Sequence, residues 1–263
     1  MPKYAANTTM LFQEHDFLDR FDAAGKAGFQ FIEYMFPYPY DAHELRAKLD
    51  QNNQTQALFN LPAGDWAGGD RGIAVQPSRQ DEFREGVGKA VDYAAVLYKD
   101  VQGPKLVNVL VGKAEGDEAI TRRTVIGNLQ YAADKFADAG LTLIIEPLNP
   151  YDVPGFYLYG TQNTLNLIEE VGRENVQLQY DFYHMQRVEG RLTQTVRENL
   201  DKIAHIQLAD VPGRHQPGTG EINYPFLLAE LDRLNYKGYV GLEYIPEGHT
   251  EDTLGWLKEL KTS

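Results

Sequence analysis

Apolar residues along this chain recur in two rhythms. Runs of four to eight branched or aromatic residues alternate with longer stretches whose apolar positions fall three and four apart, the patterns of a buried strand and of one helical face. The short runs occupy residues 4–7, 29–34, 56–62, 105–112, 143–147, 176–181, 203–210 and 239–244. Between them Phe17, Leu18, Phe21 and Ala24 mark a helix within 15–28, and Asp41 with Glu44 opens a capping box ahead of Leu45 and Leu49. Phe83, Val87, Ala90, Val91 and Ala94 mark the next helix, and Val125, Leu129, Ala132, Ala133 and Phe136 another, stopped by Gly140. Further helices follow at Leu165, Ile168 and Val171, at Leu192, Val196 and Leu200, over 224–234 and over 250–260. Strands separated by helical crossovers pair in parallel, and eight such units predict a single α/β domain over residues 1–263, a closed (β/α)8 TIM barrel with its site at the C-terminal mouth. An open doubly wound sheet is the alternative, disfavoured because the first strand-to-turn segment lacks G-x-G-x-x-G. Residues 63–75, AGDWAGGDRGIAV, read either as a loop that folds over a site or as a plain connector.

Composition narrows the choice of partners. The formal charge of −13 argues against a partner gripped by its phosphates, which weakens a nuclease reading. No cysteine is present, so thiolate ligands, thiol nucleophiles and disulfides are all absent. The opening MPKYAANTTMLF has no apolar core of a signal peptide, and no run of 18 apolar residues occurs. A cytoplasmic protein with neither membrane nor nucleic-acid partner is expected. A homodimer is expected from the frequent association of such barrels.

The chemistry gathers at strand ends. LIIEP delivers Glu146, QLQYD delivers Asp181, HIQLAD carries Gln207 ahead of Asp210, and YVGLEY carries Glu243. Intervals of 35, 26 and 36 residues separate Glu146, Asp181, Gln207 and Glu243, about one β/α unit each, so the four would converge on one point. Any one of them alone would read as a loop cap. Three carboxylates and an amide form a hard oxygen set, which points to a metal ion and favours Mg²⁺ or Mn²⁺ over Zn²⁺. Alternation along the strands places Gln177 and Gln179 on the face of Asp181 and His205 on the face of Gln207, a polar column where a barrel would ordinarily hold Val, Ile or Leu. His184 reads either as a loop histidine or as a substrate contact. Arg214, in VPGRHQPGTGEINY, offers a planar fork suited to a substrate acid group. Lys113, Arg71 and Glu33 read as surface or loop residues.

Together LIIEP, QYDFYH, HIQLADVPGRHQPGTGEINY, GLEY and NLPAGDWAGGDRG resemble the hydroxypyruvate isomerase family, within the xylose-isomerase-like TIM barrels, over essentially the whole chain. The resemblance implies that Glu146 and Glu243 are both metal ligands and the acid–base pair, that Asp181 and Gln207 complete the ligand set, and that His184 and Arg214 touch substrate. The wider superfamily commonly has His where Gln207 stands, and its sugar epimerases usually keep that His. The implied reaction interconverts hydroxypyruvate and tartronate semialdehyde through an enediolate. Isomerisation of the four-carbon acid 2-oxo-tetronate is the nearest alternative, followed by a ketose 3-epimerase, an abasic-site endonuclease and a non-enzymatic binding module.

Overall fold

The computed structural model describes residues 2–114 and 116–260. Eight parallel strands run in chain order around a closed barrel: β1 (Lys3–Asn7), β2 (Phe31–Tyr34), β3 (Thr55–Asn60), β4 (Leu106–Asn108), β5 (Thr142–Ile145), β6 (Val176–Asp181), β7 (Ile203–Leu208) and β8 (Tyr239–Leu242), which pairs back onto β1. The helices α1 (Asp19–Lys26), α2 (Ala42–Gln51), α3 (Gln80–Leu97), α4 (Glu118–Asp138), α5 (Thr161–Val171), α6 (Phe182–Val188), α7 (Leu192–Asn199), α8 (Tyr224–Arg233) and α9 (Gly255–Leu260) take up the crossovers and the end of the described chain. This is the expected (β/α)8 barrel. No helix among the described residues is long and apolar enough to cross a membrane.

Two apolar clusters hold it together. The larger lies between strands and helices, where Phe83, Val87, Leu129 and Phe136 are fully or almost fully buried. The smaller comprises Ala5, Ala57, Leu58, Leu106, Ile144 and Tyr239. With a side-chain period of two, the inward face that carries Ala5, Leu106 and Ile144 presents Asn7, Asn108 and Glu146 one step nearer the C-terminal mouth, and on β8 Tyr239 is followed on that face by Gly241 and then Glu243. On β1, β4 and β5 the barrel interior therefore changes from apolar to polar within a single residue pair. That step fixes the floor of the site.

The predicted elements fall in place with instructive differences at their ends. Asp41 caps α2, accepting from the amides of His43 at 2.8 Å and Glu44 at 3.3 Å. The first helix begins at Asp19 rather than near His15, and no side chain caps it. Regular β4 ends at Asn108 instead of continuing to Gly112, because the backbone beyond it is taken by the loop after β3: Val75 N donates to Val111 O at 3.0 Å. The last helix divides into a 3-10 segment, Thr250–Leu254, followed by α9. One helix was not anticipated. Asp181 ends β6 and also caps α6, accepting from Tyr183 N at 2.7 Å, so His184 stands in the first turn of a helix and not on a loop.

Candidate active site

Each proposed ligand reaches the mouth from a strand end. Glu146 follows β5, Asp181 closes β6, Gln207 is the penultimate residue of β7, and Glu243 follows β8. The β6 to β7 register sets Asp181 opposite Gln207 and Gln179 opposite His205, and β7 to β8 sets Gln207 opposite Gly241. Glu146, Gln207 and Glu243 line one cavity of about 250 Å³ with Asn7, Asn108, Gln179, His184 and Arg214. Its outer wall includes Trp66 and Arg71 from the loop after β3 and Asp152 from the loop after β5.

Hydrogen bonds bind these groups into one network. Gln179 Nε2 donates to Glu146 Oε2 at 2.8 Å and to Gln207 Oε1 at 2.6 Å. Gln207 Nε2 in turn donates to Glu33 Oε1 at 2.8 Å and Glu243 Oε1 at 3.3 Å, while Asn7 Nδ2 bridges the same two carboxylates at 3.0 and 3.1 Å. Arg214 Nη2 reaches Glu243 Oε2 at 2.5 Å and lies 3.9 Å from Asp181 Oδ2. His184 is held from the far side: Nδ1 accepts the backbone N–H of Asn149 at 3.2 Å. The neutral ring then carries its proton on Nε2, which points at Glu146 Oε1 (4.0 Å) and Asp181 Oδ2 (3.8 Å).

Burial governs the electrostatics. Glu146 is 5% exposed and Glu243 7%, and Asp181 is fully enclosed. Desolvation raises the Glu146 carboxyl well above the usual range, and the charges of Glu243 and Asp181 push it the same way. Glu243 is pushed up to about 7, again by burial, with Arg214 opposing. Asp181 is raised to about 6, mainly by burial, with Arg214 and the amides of Tyr183 and His184 pulling it down. Burial and the nearby Arg214 charge hold the His184 ring well below its ordinary value, hence neutral.

The residues present fit a divalent cation. Glu146 Oε1 and Asp181 Oδ2 are buried carboxylate oxygens with no hydrogen-bond partner among the described residues. Glu146, Asp181 and His184 each offer a ligand atom within 4.8 Å of the others. Two unpartnered carboxylate oxygens this close together are costly to ionise where they are buried unless a cation joins them. The backbone N–H on Nδ1 leaves Nε2 of His184 protonated, so the two carboxylates are the better ligands of this trio. Gln207 and Glu243, the other two expected ligands, border the same cavity; Gln207 Oε1 accepts from Gln179, and Glu243 accepts from Asn7 and Gln207 on Oε1 and from Arg214 on Oε2.

Two residues set aside on sequence grounds belong to this region. Glu33 is wholly buried, not a surface residue: from β2 it sits beneath the cavity, holding Gln207 and Asn7, with His205 Nε2 2.8 Å from its Oε2. The apolar neighbours in FIEYMF gave no hint, since an acid flanked by apolar residues on a short strand can face either way. Arg71 lines the cavity, whereas Lys113 serves the loop, donating to Gly69 O at 3.1 Å. Of the expected polar column, Gln179 and His205 are buried under the site, while Gln177 opens toward the N-terminal end of the barrel.

Comparison with known proteins agrees with this geometry. The family described as xylose isomerase-like TIM barrel matches residues 21–260. The chain is 48% identical to hydroxypyruvate isomerase of Escherichia coli over 98% of both chains, and 45% identical to 2-oxo-tetronate isomerase of Cupriavidus necator, again over 98% of both. Among solved structures, a Brucella melitensis protein described as an AP endonuclease of family 2 superposes with a TM-score of 0.94 at 42% identity, covering 98% of this chain and 99% of that one.

Proposed function

Because this chain belongs to the xylose isomerase-like TIM-barrel family and is an isomerase of the hydroxypyruvate isomerase type, we propose that it interconverts hydroxypyruvate and tartronate semialdehyde with the help of Mg²⁺ or Mn²⁺. The observation that carries this reading is the pair of buried carboxylates, Glu146 and Glu243, bordering one small polar cavity that also holds a guanidinium. Ligand pockets commonly enclose roughly 300–1,000 Å³. A cavity of about 250 Å³ suits a molecule of three or four carbons better than a hexose.

The reaction requires a hydrogen to leave C3 as a proton, another to arrive at C2, and the hydroxyl proton to pass from O3 to O2. One carboxylate takes the first proton and the other supplies the second, general acid–base catalysis worth about 10²–10⁴-fold. In the metal-free site burial raises the Glu243 carboxyl to about 7, and a bound cation would lower it toward the ionised, proton-accepting form. Arg214 orients Glu243 and brings positive charge to the reacting face, and the Nε2–H of His184 offers a donor for a substrate oxygen. A divalent cation held by Glu146, Asp181, Gln207 and Glu243 would stabilise negative charge on the substrate oxygens.

The second reading, 2-oxo-tetronate as substrate, rests on the 45% identity to the Cupriavidus necator enzyme and on a cavity wall of loop residues that could admit one more carbon. A ketose 3-epimerase is disfavoured by Gln207 and by the presence of Arg214 on the cavity wall. The test is deuterium incorporation followed by NMR: protein stripped of metal, with and without Mn²⁺ or Mg²⁺, is given hydroxypyruvate and then 2-oxo-tetronate in D₂O. Metal-dependent incorporation with appearance of aldehyde from hydroxypyruvate is expected, and relative rates rank the two acids. Absence of exchange from both acids with either metal would defeat the reading.

A further inference from the structure

The cavity contains a second guanidinium that no carboxylate holds. Arg71 emerges from the loop after β3 with its guanidinium 4.0 Å from the centroid of the Trp66 ring. Its Nη1 donates to two backbone carbonyls, Trp66 O at 3.2 Å and Asp70 O at 2.6 Å. Among the described residues it makes no ion pair, although the chain is rich in acids. Arg214 differs: it is joined to Glu243 and shares its charge with Asp181. Arginines that line a polar cavity without an acidic partner are poised for an anion that arrives from outside.

A charge count makes the same point. Glu33, Glu146, Asp181 and Glu243 bring four formal negative charges to the region, against one from Arg214 and two from a divalent ion. A substrate carboxylate entering that balance would meet a net negative site unless Arg71 is counted. Asp152, the other acid on the cavity wall, is already paired with Arg187 at 2.5 Å.

The loop is built to hold Arg71 in place. Asp70 is locked to Arg79 at 2.7 Å and accepts Asp65 N at 2.7 Å, and Lys113 ties down Gly69 O. Trp66 rests against Phe36 with ring centroids 5.0 Å apart, giving the guanidinium a fixed apolar platform. With Nη1 committed to the two carbonyls, the Nε–Nη2 edge of the guanidinium remains to pair with a carboxylate.

We infer that Arg71, stacked on Trp66, is the residue that receives the substrate's carboxylate and selects acids over neutral ketoses at this site. The inference rests on the acid-isomerase reading above and goes beyond it by separating Arg71 from Arg214, which serves the carboxylate of Glu243 and the reacting end of the substrate.

The test compares an acid with its neutral counterpart in the metal-loaded protein. D-glycerate has no carbonyl to isomerise, so its Kd by titration calorimetry reads binding alone. Arg71→Met is expected to weaken glycerate at least tenfold and Arg71→Lys by less, with metal content and Tm as in the parent protein. The ratio of kcat/KM for hydroxypyruvate to that for dihydroxyacetone, which carries CH₂OH in place of the carboxylate, should fall at least tenfold in Arg71→Met, mainly through KM. Unchanged glycerate binding in Arg71→Met would overturn the inference. So would an equal loss on acid and neutral ketone, which would make Arg71 a prop of the loop, and so would a parent protein that binds no glycerate. A parent protein that binds glycerate but isomerises neither acid would instead defeat the proposed reaction, with the binding comparison still deciding the role of Arg71.

Discussion

At the scale of single residues, the site is defined by carboxylates kept in a place that disfavours their charge. Glu146→Gln and Glu243→Gln should each lower kcat by about 10²–10⁴-fold, the worth of one acid–base group. For Glu146→Gln the metal-free protein should be no less stable than the parent, because an amide removes a buried group whose ionised form is penalised. The raised carboxyls also set a pH dependence with a definite sign. In the folded, metal-free protein Glu243 and Asp181 hold protons to about 7 and about 6, above the values near 4 that they have when unfolded. Their contribution to stability is complete below the unfolded values and is lost as pH rises through the folded ones. The Tm of stripped protein should therefore fall between pH 5 and 8 on account of these groups. Since a cation competes with those protons, the Tm gain from added Mn²⁺ should grow over the same range, and a gain independent of pH would show that these carboxylates are not the ligands.

Individual elements matter through what their backbones let approach. On β8, a Cβ on Gly241 would fall 2.3 Å from Glu33 Oε1, so Gly241→Ala must displace the carboxylate that holds Gln207 and Asn7. Glu33→Gln is the gentler probe: it keeps the shape and alters the acceptor beneath Gln207. Loss of a partner that orients a metal ligand typically costs 10–100-fold in metal affinity, the range expected for Glu33→Gln by calorimetry with Mn²⁺. The loop after β3 has its own close approach. Gly72 has φ +102°, and a Cβ there would lie 1.8 Å from Leu110 O. Gly72→Ala should destabilise by about 2 kcal/mol or more through backbone strain, and by shifting Arg71 should raise KM for the acid substrate, both readable from thermal unfolding and steady-state kinetics.

For the molecule as a whole, the competing nuclease reading has a simple assay. The relative described as an AP endonuclease shares this fold closely, yet a chain with formal charge −13 has little with which to neutralise a phosphate backbone. No cleavage of a duplex bearing an abasic site is expected under conditions that support isomerisation, and cleavage at comparable rates would reopen the question. The barrel also explains how acids so far apart in sequence share one cavity. Glu146, Asp181, Gln207 and Glu243 each lie within one residue of the end of their strand, and closure of the sheet turns equal positions along the strands into a ring.

The strand-and-helix alternation, the barrel and the convergence of Glu146, Asp181, Gln207 and Glu243 were readable from sequence because periodicity and strand-end position are local properties, repeated in every unit. The burial of Glu33, the opening of α6 at Asp181, the pairing of Arg214 with Glu243 and the place of Arg71 on the cavity wall were not. A side chain's partner depends on which segments meet across the barrel and on how loops fold back over it, contacts between residues tens or hundreds of positions apart. Sequence pattern determined where the four strand-end donors stand. Only the closed fold decided which charges are neutralised within the protein and which guanidinium is left to meet a ligand.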